Sequence, residues 1–202
     1  MRSLTHRSAL TAPPSSKVVE VPHSVPLRAA IVYFLTAFTG CAADLATKHW
    51  IFAWRGVSPG KNDVWWIIEG YVGIETAVNY GALFGMGQGY SHVFVILSFI
   101  ALAGVIYWLF VAGAAYDRLL TFALGMITGG IVGNLYDRLG FWSVPGVTDT
   151  AGVRDWIRLS VGEYTWPNFN VADSLLVCGA ALLVWHSFQS GAAAASSGAK
   201  DR

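Results

Sequence analysis

Four apolar runs, about Leu27 to Ala46, Val93 to Ala112, Leu119 to Leu135 and Val171 to Phe188, stand out from an otherwise mixed chain. Each approaches the roughly 20 residues that a helix needs to cross the hydrocarbon of a bilayer. The short connection from Gly113 to Arg118 makes the second and third helices antiparallel neighbours, and four crossings return both termini to one side. Between the first two runs the pattern changes. Val64 to Ile68 and Tyr71 to Val78 are β-branched and aromatic and are parted by Glu69 and Gly70, which predicts a hairpin at the outer membrane surface. The expected fold is an all-α membrane protein: four transmembrane helices with a small β-hairpin element in the outer loop between helices 1 and 2.

Composition supports this reading. Of 202 residues 54% are hydrophobic and 12% are charged, against about 25% charged in a soluble domain. Residues 1–26, with Pro13, Pro14, Pro22 and Pro26, predict a disordered cytoplasmic extension, 27–190 the membrane domain, and the Ala-, Ser- and Gly-rich 191–202 a disordered tail. A cleaved signal peptide would place its apolar region earlier and follow it with small residues, whereas the first run here leads into Asp44 and Lys48. Basic residues divide seven to the side of the termini and six to the other. Arg28 and Arg118 flank helices directly, so the termini are expected in the cytoplasm. Trp50, Trp54, Trp65, Trp66, Tyr71, Trp142, Trp156, Tyr164 and Trp166 then fall on the outer side, as an interfacial belt requires. A net charge of +1 gives no reason to expect nucleic acid. The two cysteines, Cys41 and Cys178, lie in apolar runs and read as small packing residues, and the five scattered histidines show no metal-ligand spacing.

Polar residues at the ends of these runs carry the candidate chemistry, because a carboxylate in a span is costly and tends to meet another polar group, water or substrate. Asp44 and Lys48, four apart in the last turns of helix 1, are placed for an ion pair. Gly129 and Gly133 offer another helix a close approach, and Asn134 and Asp137 project together near the outer end of helix 3. Asn170 and Asp173 repeat the Asn-x-x-Asp spacing at the start of helix 4, so the two faces are expected to meet. Asp155, 18 residues before Asp173, has enough chain to loop back over that helix end. Two carboxylates sharing a site do not easily both ionise, which leaves one base to activate water and one acid to protonate a leaving amine. Symmetry of spacing alone pairs Asp137 with Asp173. No His or Lys is placed to serve Ser174 as a nucleophile.

With these residues the chain resembles lipoprotein signal peptidase, the type II signal peptidase of bacteria. The resemblance covers about residues 28–190 and rests on five ordered blocks. They are Asp44-x-x-Thr47-Lys48; Asn79-x-Gly81-x-x-Phe84-Gly85; Gly129-Gly130-x-x-Gly133-Asn134-x-x-Asp137-Arg138; Val153-x-Asp155; and Phe169-Asn170-x-Ala172-Asp173-Ser174.

The resemblance implies an aspartic endopeptidase at the outer face of the cytoplasmic membrane. Its substrates are prolipoproteins carrying a diacylglyceryl group on the lipobox cysteine, cut just before that cysteine without a cofactor. Membrane lipid is an expected partner and globomycin-like cyclic peptides expected inhibitors. By motif the catalytic pair is Asp155 with Asp173. Asp44, Lys48, Asn79, Gly81, Asn134, Asp137, Arg138 and Asn170 match supporting or substrate-contacting positions, and Asn134, Arg138 and Asn170 are expected to hold the substrate backbone. The chain departs from the pattern in two places. Arg154 replaces an apolar residue before the loop aspartate and Trp156 a Phe after it, and Phe141 to Gly152 holds an apparent insertion. The alternative is a small proton- or cation-coupled transporter, which would favour acids near the midplane and broken or repeated helices.

Overall fold

The computed structural model describes residues 25–58, 63–81 and 87–200, with side chains described as far as 190. Four helices have the length and composition to cross a membrane. They are α1 (Leu27–Arg55), α2 (Ser91–Phe110), α3 (Arg118–Arg138) and α4 (Val171–Lys200).

Helix α1 continues well past the expected end at Ala46. Its polar residues do not stop it, because Lys48 finds partners on α3 and Trp50 to Trp54 resume an apolar pattern. It ends where Gly56 takes φ +67°, a left-handed conformation that suits glycine, and donates its N–H to Phe52 O. Asp44 and Lys48 therefore lie inside the helix rather than in its last turns. A three-residue 3-10 turn, Ala114–Tyr116, joins α2 to α3, whose first turn is capped by Asp117 accepting from Leu120 N at 2.9 Å. Helix α4 runs on through 191–200, a stretch the sequence reading set aside as a disordered tail. Its alanines are the residues with the best helix propensity. The N-terminal extension, apart from Val25 and Pro26, lies outside the described residues, as do Phe84 and Gly85.

Helix α3 is the centre of the bundle, packed against α1, α4 and α2. Its glycines make this close approach work. A Cβ at Gly129 would meet Ala37 O on α1 at 2.9 Å, and one at Gly130 would meet Ala172 O on α4 at 2.5 Å. The outer three helices leave large apolar side chains such as Phe38, Ile100 and Phe188 exposed, as lipid-facing surfaces do.

The expected hairpin is present as β1 (Trp65–Ile68) and β2 (Val72–Asn79), but it is half of a larger sheet. The α3–α4 connection supplies β3 (Val153–Val161) and β4 (Tyr164–Phe169), giving a four-stranded antiparallel sheet in the order β1-β2-β3-β4. The β2–β3 register places Ala77 opposite Asp155 and Asn79 opposite Val153. The segment expected to be a loop bearing Asp155 is thus a strand held by its neighbours on both sides. Sequence pattern obscures it because its alternation is interrupted by Arg154 and Asp155, both buried, and one of its two neighbours, β2, lies some 76 positions away.

Candidate functional site

The sheet packs against α1 and α3, and β4 leads directly into α4; there the candidate residues converge. Asn170 and Asp173 form a reciprocal cap on α4: Asp173 N donates to Asn170 Oδ1 at 2.9 Å and Asn170 N to Asp173 Oδ2 at 3.1 Å. This explains the Asn-x-x-Asp spacing locally and sets Asp173 in a first helical turn, where the macrodipole favours negative charge. The same spacing on α3 has another cause. Asn134 and Asp137 stand one turn apart on a buried face and reach across to other elements.

Lys48 enters this face from α1. Its Nζ donates to Asn134 Oδ1 at 3.0 Å and pairs by charge with Asp44 Oδ2 at 2.7 Å and Asp137 Oδ2 at 3.2 Å, although the side chain is fully buried. A buried ammonium is tolerable only with counter-charges placed this closely. Asp44 uses its other oxygen to accept from Ala172 N at 2.9 Å, tying α1 to the start of α4. Asp137 is held from a second direction by Arg154, with Nη2 at 2.7 Å and Nε at 3.2 Å from Oδ1, and Arg154 N at 2.9 Å from Oδ2. Both oxygens of Asp137 are therefore occupied by cationic or backbone donors.

Asp155 and Asp173 sit in a different environment. Asp155, 2% exposed, accepts from Asn170 Nδ2 at 2.7 Å and from Asn79 Nδ2 at 3.2 Å. Asp173 accepts from Asn134 Nδ2 at 2.8 Å. Asn170 links the two, binding Asp155 with its side chain and Asp173 with its backbone. Neither carboxylate touches a cation in the described structure. Burial, followed by the repulsion of the Asp173 charge, pushes the Asp155 carboxyl up to about 8, and the donations from Asn170 and Asn79 only partly oppose this.

The remaining candidates complete one connected network. Gly81 N donates to Asn79 Oδ1 at 3.0 Å, and Arg138 Nη2 donates to Gly81 O at 3.3 Å. The Arg138 guanidinium lies over Phe94 at 5.2 Å, and its buried Nε has no hydrogen-bond partner among the described residues. The amides of Asn134 and Asn170 are engaged with the carboxylates of Asp173 and Asp155. A cleft of about 750 Å³ is lined by Asp155 together with Asn79, Glu75, Arg158 and Asn168 of the sheet. Asp173 does not line it. Among the described residues no group of three or more His, Cys, Asp or Glu is placed to hold a metal ion.

The profile of the signal peptidase (SPase) II family matches residues 36–189. The chain belongs to the signal peptidase II family. It is 53% identical over 180 residues to a lipoprotein signal peptidase of Rhodopirellula baltica, covering 88% of this chain and 80% of that one. It is 33% identical to that of Symbiobacterium thermophilum, over 74% of this chain and 90% of the relative. A solved structure described as a bacterial membrane enzyme at 2.3 Å superposes with a TM-score of 0.67 at 26% identity, covering 79% of this chain and 88% of that one. A second, at 1.9 Å, gives 0.64 at 27% identity, over 76% and 90%. This signal peptidase II family member is a multi-pass membrane hydrolase of aspartic-protease type, and the transporter alternative is set aside. Sequence reasoning treated Arg154 only as a departure from pattern and assigned Trp142 only to the interfacial belt. Nothing local marks Arg154 as the partner of an acid 17 residues away.

Proposed function

We propose that the protein removes the signal peptide from diacylglyceryl-modified prolipoproteins, cutting just before the lipidated cysteine, with Asp155 and Asp173 as the catalytic pair. The observation that carries this reading is the contrast among the buried acids. Asp44 and Asp137 are neutralised by Lys48 and Arg154, whereas Asp155 and Asp173 receive only amide donors and are bridged by Asn170. Two such carboxylates share one proton, and the pair titrates together.

With Asp155 holding the proton, the Asp173 carboxylate takes a proton from water as its oxygen attacks the scissile carbonyl carbon. Asp155 donates to the carbonyl oxygen, forming a neutral gem-diol and exchanging roles with Asp173. Collapse of the gem-diol returns its hydroxyl proton to one carboxylate, breaks the C–N bond and delivers the other proton to the departing amine of the cysteine. The products are a carboxylic acid on the signal peptide and a free amine on the lipoprotein. Arg138 Nε, buried and without a partner among the described residues, is a donor available to the substrate backbone.

Position supplies selectivity in this reading. The acyl chains and the signal helix lie against the apolar faces of the bundle, and the scissile bond reaches the sheet-covered end of α3 and α4. The enzyme resides in the bacterial cytoplasmic membrane with its termini in the cytoplasm and this end outermost. Cyclic peptides of the globomycin type would occupy the same end. Cleavage of a diacylglyceryl-modified prolipoprotein by the detergent-purified chain tests the assignment. Wild type yields product, and Asp155→Asn and Asp173→Asn yield none while remaining inserted. Product from either variant removes that residue from the pair.

A further inference from the structure

Arg154 occupies a position where the resemblance leads one to expect an apolar residue, and the chemistry above gives it no part. The residue is nevertheless only 4% exposed. Besides gripping Asp137, its guanidinium lies 5.3 Å from the Trp142 ring and 6.0 Å from that of Phe52. Trp142, from the inserted segment, donates its Nε1 to Asp137 O and to Gly152 O, both at 3.2 Å. One side chain thus joins the end of α3, the insertion and the strand position immediately before Asp155.

The charges around the site give this clasp a second consequence. Asp44 and Lys48 face it from α1, Asp137 and Arg138 from α3, Arg154 and Asp155 from β3, and Asp173 from α4. Glu75 on β2 is matched separately by Arg158. Leaving that matched pair aside, four carboxylates meet three cations, and the cluster is neutral when one proton is shared. Without Arg154, Asp137 would draw Lys48 toward itself and away from Asn134 Oδ1, and Asn134 is the residue that holds Asp173.

We propose that Arg154 is a positioning residue for peptide-bond cleavage. Its grip on Asp137 fixes the strand register that presents Asp155, and it supplies the cation that leaves the catalytic carboxylates a single proton between them. This rests on Asp155 and Asp173 being the pair.

The test is kcat and KM against pH for the full chain in detergent with a diacylglyceryl-modified prolipoprotein peptide. Arg154→Met lowers kcat about a hundredfold with KM little changed, the size expected of a displaced catalytic group. Losing a cation raises carboxylate pKa values, so both limbs of its pH profile move to higher pH by about one unit. Arg154→Lys keeps the charge without the two-pronged grip, so kcat falls while the limbs stay in place. The double variant Asp137→Asn/Arg154→Met removes one cation and one carboxylate together and returns the limbs toward wild type. Wild-type kcat in Arg154→Met, unmoved limbs in that variant, or limbs still displaced in the double variant would overturn the proposal. If Arg154→Met does not fold by thermal unfolding, the limbs of Arg154→Lys and the double variant decide. Cleavage surviving in Asp155→Asn would strike the underlying pair instead.

Discussion

At Asp155, burial and the nearby Asp173 charge hold a carboxyl up to about 8 where an unfolded chain has 3.8. Between these values the folded protein binds more protons than the unfolded one, so this residue's contribution makes stability fall as pH rises from about 4 to about 8. The thermal midpoint in detergent is expected to decline over that window and to decline less in Asp155→Asn. Catalysis has a related limit. On the proposed assignment, Asp155 loses its proton above about pH 8 and kcat drops. Lys48 is the other residue whose chemistry is forced by burial. Lys48→Met leaves Asp44 uncompensated and Asp137 with Arg154 alone, at a cost of about 3–5 kcal/mol, read as a lowered thermal midpoint.

Among the elements, the start of α4 and the glycine face of α3 do most to assemble the site. Asn170→Ala removes the side-chain cap and the link to Asp155 while its backbone N–H still reaches Asp173, so it costs about 1 kcal/mol from the helix terminus alone and loses far more activity than stability. Comparing kcat with the thermal midpoint separates the two. Gly130→Ala puts a Cβ against Ala172 O, a backbone atom at 2.5 Å that cannot turn aside. Helices α3 and α4 must then separate, with an expected loss of about 1–3 kcal/mol and, because Asn134 must still reach Asp173 across that contact, a fall in cleavage. The extents of α1 and of the sheet were the least legible elements. Asp44 and Lys48 look like a helix end in sequence and are a helix middle in the fold, since their partners are supplied by α3 and α4.

On the scale of the whole molecule, α3 is shielded by the other three helices, which turn apolar faces outward. Ile100, 62% exposed in the middle of α2, faces lipid and not a protein core. Ile100→Arg is therefore expected to cost about 2.5–3.5 kcal/mol at insertion and to reduce the membrane-inserted fraction, while Ile100→Leu is silent. Both sheet-forming connections, α1–α2 and α3–α4, lie at the end opposite the α2–α3 turn. The site is thus built where the ends of α3 and α4, the interior of α1 and two distant chain segments meet, at a polar edge of an apolar bundle.

Periodicity and composition by themselves determined the four spans, the antiparallel order of α2 and α3, the first hairpin and the meeting of Asn134 with the Asn170–Asp173 face. These follow from local apolar runs and fixed helical spacing. Ordered motifs marked the ten candidate residues, all of which fall in one network. Only the tertiary structure decided how the acids differ. Asp137 and Asp155 are both buried aspartates, but the first is clasped by Lys48 and Arg154 and the second meets only amides. That distinction depends on which cation arrives through space, and β3, α1 and α3 are far apart along the chain. No spacing rule carries such information, because the energy of a buried charge is set by the neighbours that folding brings to it.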